Sequence, residues 1–306
     1  MENKKEKIAA VVVTYNRKEL LKECLDALLN QTYPLDSIII IDNASTDGTP
    51  EFLKENGYLD NPKIDYVRLP ENTGGAGGQY TGIKKAYEEG FDWVWCFDDD
   101  GIAKNDALEE LIKYKNENTV LNSLVIDSSN HNLLSFGLID TTNKKKYYKT
   151  EEAEKANFIN HINPFNGTLL PINIIRKIGL PEEEFFIWGD EREYLKRVLF
   201  YQFQIKTISK SKIYHPGILD KKGGLQEKRY IIPPWKIYYE VRNSLFIYKK
   251  YKNKVLLFLI VPVYISKKIG EILFYQKKKS YLKAILYATY HFLMNKMGKF
   301  EAAFDF

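Results

Sequence analysis

The chain has 306 residues, of which 44% are hydrophobic, 14% aromatic and 28% charged, with a formal net charge of +5. A chain of this length can bury a full core, and this balance excludes a disordered protein. Its two cysteines, Cys24 and Cys96, sit in apolar patterns without metal spacing, as expected for small buried hydrophobes in a reducing, cytosolic compartment.

The polar start, Met1 to Ile8, does not read as a signal peptide. Ile8 to Val13 is a continuous β-branched run, the pattern of a buried parallel strand. Arg17 to Gln31 has helical spacing, with Leu20, Leu21, Cys24, Leu25, Leu28 and Leu29 on one face. Ser37 to Ile41 predicts a second buried strand ending at Asp42, and Thr49 to Asn56 a short helix. Ile64 to Leu69 predicts a third strand. A glycine-rich loop, Asn72-Thr-Gly-Gly-Ala-Gly-Gly78, follows, then a helix from Gln79 to Glu89. Trp93 to Phe97 is a fourth strand, delivering the triplet Asp98-Asp99-Asp100. Asn118 to Lys149 reads as antiparallel strands around a polar turn at Thr141–Lys146. From Lys228 the pattern becomes helical, aromatic and basic, which sets a boundary between 1–227 and 228–306.

Charge follows the same division. Residues 1–227 hold 29 Lys and Arg against 36 Asp and Glu, whereas residues 228–300 hold 16 against 2. Such a split implies regions with different partners. The longest apolar run, Val255 to Ile265, contains Pro262 and is about half of the roughly 20 residues a spanning helix needs.

Strands alternating with helices predict an α/β fold with a mostly parallel central sheet flanked by helices. Ligands in such sheets bind outside the carboxyl ends of the strands. Thr14, Asp42, the glycine-rich loop and the aspartate triplet all fall at such ends. Three adjacent carboxylates repel and are costly to desolvate, so a hard divalent cation carrying phosphates would suit them; a solvated acidic turn is the alternative. The glycine-rich loop lacks the Gly-Lys-Ser/Thr of a P-loop and the Gly-x-Gly-x-x-Gly of a dinucleotide fold. It suits close backbone approach to a sugar-nucleotide, against a plain flexible loop.

Val11-Val-Val-Thr-Tyr-Asn-Arg17, Ile41-Asp-Asn-Ala-Ser-Thr-Asp-Gly-Thr49, Asn72-Thr-Gly-Gly-Ala-Gly-Gly78 and Asp98-Asp-Asp100 together resemble family 2 glycosyltransferases of the Rossmann-like GT-A fold. Phe186-Ile-Trp-Gly-Asp-Glu191, Tyr214-His-Pro216 and Tyr238-Tyr-Glu-Val-Arg-Asn243 are similar to its galactofuranosyl- and rhamnosyltransferase subgroup.

The resemblance implies nucleotide-sugar contacts at Thr14, Asn16, Arg17, Asp42, Asn72, Gly74, Gly75, Asp98 and Asp99. It implies a Mn²⁺ or Mg²⁺ site at Asp98, Asp100 and His215, and a general base at Asp190 or Glu191. Inversion at an anomeric carbon needs one carboxylate opposite the leaving group. A solvated helix whose acids pair with Arg192, Lys196 and Arg197 is the alternative for that segment. Trp188 stacks on a sugar or lies in the core, and Asn166-Gly167 borders the acceptor or forms a plain loop.

The implied donor is a UDP- or dTDP-sugar, and the implied acceptor a glycan or lipid-linked glycan in cell-surface polysaccharide synthesis. The basic, aromatic C-terminal region suits an anionic membrane surface, a homodimer, or both, but not nucleic acid. The protein would then act in the cytoplasm, peripherally at the inner face of the cell membrane. A non-catalytic sugar-nucleotide-binding or scaffold subunit is the reading from a different class.

Overall fold

The computed structural model describes residues 6–217, 232–272 and 278–305. They divide into two compact units. The first takes 6–72, 78–181 and 194–217; the second takes 73–77, 182–193, 232–272 and 278–305. The boundary expected at 227/228 lies outside the described residues.

In chain order the elements run β1 (Ile8–Thr14), α1 (Lys18–Leu29), β2 (Ser37–Asp42), α2 (Thr49–Glu55) and β3 (Ile64–Arg68). Then come α3 (Gly74–Glu88), β4 (Trp93–Asp98), β5 (Ile102–Ala103) and α4 (Ala107–Ile112). β6 (Thr119–Asp127), β7 (Leu133–Ile139) and β8 (Lys146–Lys149) make the expected antiparallel run. α5 (Thr150–Glu154), β9 (Phe158–Ile159), β10 (Thr168–Pro171), α6 (Ile172–Ile178), α7 (Asp190–Phe200) and β11 (Gln204–His215) follow. The C-terminal helices are α8 (Pro234–Tyr251), α9 (Lys254–Ile272) and α10 (Lys278–Leu293).

The sheet of the first unit runs β3-β2-β1-β4-β10-β6-β11-β5. β1, β2, β3 and β4 are parallel, as are β6 and β11; β10 is inserted antiparallel between β4 and β6. The period-two alternation of β1 divides its side chains between two cores. Ile8, Ala10 and Val12 pack with Leu21, Cys24, Leu25 and Leu28 of α1, while Ala9, Val11 and Val13 pack with Ile83 and Ala86 of α3. Leu20, placed on the buried face of α1 by its spacing, is instead 38% exposed.

The glycine-rich stretch is not the loop its composition predicts. α3 starts at Gly74, so these glycines form its first turns. A Cβ on Gly78 would lie 2.4 Å from Val13 Cγ1, and one on Gly82 would lie 2.3 Å from Val11 Cγ1. Both glycines let α3 lie close against β1, which outweighs their poor helix propensity. Gly75 alone among the glycines of 74–78 has nothing within 4 Å of its Cβ position.

In the second unit α8, α9 and α10 enclose a core of Tyr238, Tyr239, Leu245, Tyr281, Ile285 and Phe292. Many aromatics that read from sequence as interfacial are therefore core, because three helices can bury only what they bring. The exposed apolar side chains form a separate stripe. On α9 Val255, Phe258, Leu259 and Val263 are 60–79% exposed, at helical spacing. Among the described residues no helix is long and apolar enough to cross a membrane.

Candidate active site

β1 ends at Thr14, β2 at Asp42 and β4 at Asp98, and the parallel register sets Thr14 beside Asp42 and Val13 beside Asp98. The chain turns at Asp99–Gly101 into β5, which pairs antiparallel with the end of β11. That pairing carries His215 to the triplet from more than a hundred residues away. One ligand atom each from Asp98, Asp100 and His215 then lie within 4.8 Å of one another.

The imidazole is oriented for this. His215 Nδ1 lies 2.8 Å from the Pro216 carbonyl, which can only accept, so Nδ1 carries the hydrogen. Nε2 is thereby left to face Asp100 Oδ1 at 3.0 Å. Burial lowers the His215 pKa, but Asp100 and Asp98 more than offset it, and the group ends above its ordinary value. Burial raises Asp100, yet His215 and Arg17 hold it below the usual carboxylate range. Two carboxylates and an imidazole whose Nε2 faces one of them are a donor set that fits a divalent ion, which would take the place of the Nε2–Asp100 contact.

Asp99 turns the other way. It is buried, accepts from Thr14 Oγ1 at 2.8 Å and Arg17 Nη1 at 3.2 Å, and burial pushes it up to about 6 against both. Arg17 also reaches Asp100 Oδ2 at 2.9 Å, tying the end of β1 to the triplet.

Asp42 is fully buried, with Oδ1 accepting from the Ser45 amide and Oδ2 from Tyr66 Oη at 2.6 Å. Its immediate task is to fix the Asn43–Ser45 turn. Asn16, at φ 56°, continues that turn: its amide donates to Ser45 Oγ and its Oδ1 accepts from the Thr46 amide. Sequence reasoning missed Tyr66, although it stands on the same face of the neighbouring strand, two positions before the partner of Asp42.

Gly167, at φ 73°, is demanded by packing, since its Cβ would fall 2.2 Å from Ile213 Cδ1. Beside it Asn166 keeps a buried Oδ1 without a hydrogen-bond partner.

In the second unit, Asp190 opens α7 and is buried, and Glu191 accepts from the Gly189 amide at 3.2 Å. The helix is not a solvated ladder of ion pairs. Glu193 is fully buried and receives Tyr251 Oη and Lys250 Nζ, and Arg192 donates to Ser244 Oγ. The approach to Asp190 is strained: Phe186 and Trp188 have φ of 65° and 58°. Such backbone costs of order 1–3 kcal/mol per residue and persists only where neighbours over-determine it. Trp188 is half-buried with Lys236 Nζ 5.3 Å above its ring. Within this unit the Ala76 amide donates to the Phe186 carbonyl, and a Cβ on Gly74 would lie 2.0 Å from that same oxygen. Gly74 is thus fixed by the chain's own backbone.

This fold has the GT-A architecture of glycosyltransferases. The chain belongs to glycosyl transferase family 2, whose model matches residues 9–179, and it is a glycosyltransferase. It is 27% identical over 250 residues to galactofuranosyltransferase GlfT1 of Mycolicibacterium smegmatis, covering 78% of this chain and 82% of that protein. It is 27% identical over 292 residues to dTDP-rhamnosyl transferase RfbF of Shigella flexneri, covering 92% and 94%. Among solved structures, GalNAc-T7 with UDP, GalNAc and Mn²⁺ superposes with a TM-score of 0.64 at 13% identity, over 96% of this chain but only 57% of that one. Residues 1–349 of S. aureus TarS in complex with UDP-GlcNAc match with a TM-score of 0.58 at 14% identity, over 92% and 81%.

Proposed function

We propose that this protein is an inverting, metal-dependent hexosyltransferase of cell-surface polysaccharide synthesis. It moves galactofuranose, rhamnose or a related sugar from a UDP- or dTDP-sugar to a hydroxyl of a glycan or lipid-linked acceptor. The observation that carries the reading is the Asp98, Asp100 and His215 cluster, with Nε2 of the imidazole turned toward the carboxylates. The names of the relatives, a galactofuranosyltransferase and a dTDP-rhamnosyl transferase, support the sugar class.

Asp98, Asp100 and His215 hold Mn²⁺ or Mg²⁺, and the imidazole suits Mn²⁺ better. The ion, when bound, supplies positive charge that stabilises the leaving nucleoside diphosphate. Thr14, Asn16, Arg17, Asp42, Asn72, Gly74, Gly75 and Asp99 shape the donor pocket, several of them indirectly. Thr14 and Arg17 hold Asp99, and Asp42 holds the Asn43–Ser45 turn that Asn16 continues. Asp190 takes the proton of the acceptor hydroxyl as that oxygen attacks the anomeric carbon; Glu191, engaged by the Gly189 amide, is the second choice. Trp188, Asn166 and Gly167 line the acceptor side. A non-catalytic subunit would be expected to lack a ligand or the base, and all four acidic and imidazole groups are present.

The region from 228 onward docks on anionic lipid at the inner face of the cell membrane, which would bring a lipid-linked acceptor to the site. The exposed α9 stripe and its flanking lysines support that reading, with a homodimer through the same stripe as the alternative or an addition. Consumption of UDP-galactofuranose, UDP-galactopyranose, UDP-glucose or dTDP-rhamnose, measured with Mn²⁺ and with excess EDTA, tests the function. Indifference to EDTA would sink the metal-dependent reading.

A further inference from the structure

We infer that Arg242 and Asn243, adjacent on α8, are positioning residues for Asp190, clamping the backbone that presents it. The inference rests on the assignment of Asp190 as base.

Asn243 is fully buried, and its Nδ2 lies 2.9, 3.0 and 2.6 Å from the carbonyl oxygens of Phe185, Ile187 and Trp188. Its orientation is not free, because Arg242 Nε donates to Asn243 Oδ1 at 3.0 Å, which forces the amide nitrogen toward the loop. Arg242 is itself 1% exposed. Its Nη1 donates to Tyr238 Oη and the Gly298 carbonyl, and its Nη2 to the carbonyls of Glu184 and Phe185. Five guanidinium N–H groups thus meet five acceptors, and a lysine has neither the number nor the fork geometry. The rings of Tyr238 and Tyr239 stand 5.4 and 4.9 Å from the guanidinium, so the buried charge also has aromatic faces to lie against.

The segment held this way is 184–188, and it contains the left-handed residues Phe186 and Trp188. Gly189, at φ 102°, follows; a Cβ there would lie 3.1 Å from Asn243 Cβ. Asp190 comes next. A backbone in sparsely populated conformations relaxes once its tethers are cut, and a base displaced by about 1 Å can lose roughly a hundredfold in rate. The same segment accepts the Ala76 amide at Phe186, so the clamp also steadies the first turn of α3.

The test compares Asn243→Ala, Arg242→Lys, Asp190→Asn and the double variant Asn243→Ala/Asp190→Asn in the full chain. Hydrogen–deuterium exchange should rise in the peptide spanning 185–190 in both clamp variants, with the β1–β4 peptides unchanged. Where the wild type consumes UDP-galactofuranose or dTDP-rhamnose, Asn243→Ala should lower kcat about a hundredfold. Affinity for UDP with Mn²⁺ should stay within about threefold. The double variant should be no slower than Asp190→Asn alone, since a positioning residue has nothing left to position. Unchanged exchange at 185–190 overturns the clamp outright. Additive losses in the double variant overturn its action through Asp190. If Asp190→Asn retains full rate, the base assignment fails, whatever the clamp variants do.

Discussion

His215 Nε2 faces Asp100 Oδ1 at 3.0 Å because the Nδ1 hydrogen is committed to the Pro216 carbonyl. One backbone oxygen thereby selects the tautomer in which the ring can ligate. Asp100→Ala and His215→Ala should each reduce donor consumption to background. Mn²⁺ affinity, by calorimetry, should fall at least by the roughly 10–100-fold that disturbing a ligand's orientation costs. Unaltered Mn²⁺ binding in both variants would remove this cluster from the mechanism.

Asp190→Asn keeps the shape of the side chain but cannot accept a proton. It should bind UDP and Mn²⁺ like the wild type and lose roughly 10²–10⁴-fold in kcat, the span of general-base removal. Glu191→Gln should stay near wild-type rate, since Glu191 caps the Gly189 amide. The reverse pattern would shift the base by one residue.

The glycines of α3 should separate by stability. Gly82→Ala puts a Cβ against Val11, and overpacking of this kind typically costs about 1–3 kcal/mol, against about 1 kcal/mol gained in helix propensity. Gly75→Ala meets nothing within 4 Å, so it should unfold in urea at least as late as the wild type while weakening UDP binding. A Gly82→Ala variant more stable than the wild type would contradict the close contact of α3 with β1.

For the C-terminal helices, the variant to make is Lys267→Glu with Lys278→Glu and Lys279→Glu. Lys268 is a poor choice, because it is engaged by Glu240 at 2.8 Å and Glu271 at 3.0 Å. Lys277 lies outside the described residues. At about 1 kcal/mol per surface lysine, three losses should weaken binding to phosphatidylserine vesicles at least about a hundredfold. Phe258→Asp should remove the salt-resistant remainder. Vesicle binding of the wild type should also fall as the Debye length shrinks from about 10 Å at 0.1 M to about 3 Å at 1 M salt. No binding at low salt, with a concentration-dependent dimer instead, would assign the α9 stripe to self-association.

The sequence by itself determined what depends on local pattern. β-branched runs fixed the parallel strands, helical spacing fixed α1, and the order of Asp42 and Asp98–Asp100 put polar groups at strand ends. The nearby chain dictates those features, so one sequence carries them. Tertiary structure alone decided what depends on distant partners. It put the glycine-rich stretch into the first turns of a helix packed so closely on β1 that Val13 and Val11 leave no space for a Cβ at Gly78 and Gly82. It buried Tyr238 and Tyr239 and left Phe258 outside, although all three read alike in a basic aromatic tail. It set Arg242 and Asn243 on the loop before Asp190, and it supplied the β5–β11 pairing that brings His215 to Asp100, a grouping the resemblance implied but no local pattern explains. Period and composition report which face of an element is apolar, but not which remote carbonyl, ring or carboxylate will meet it.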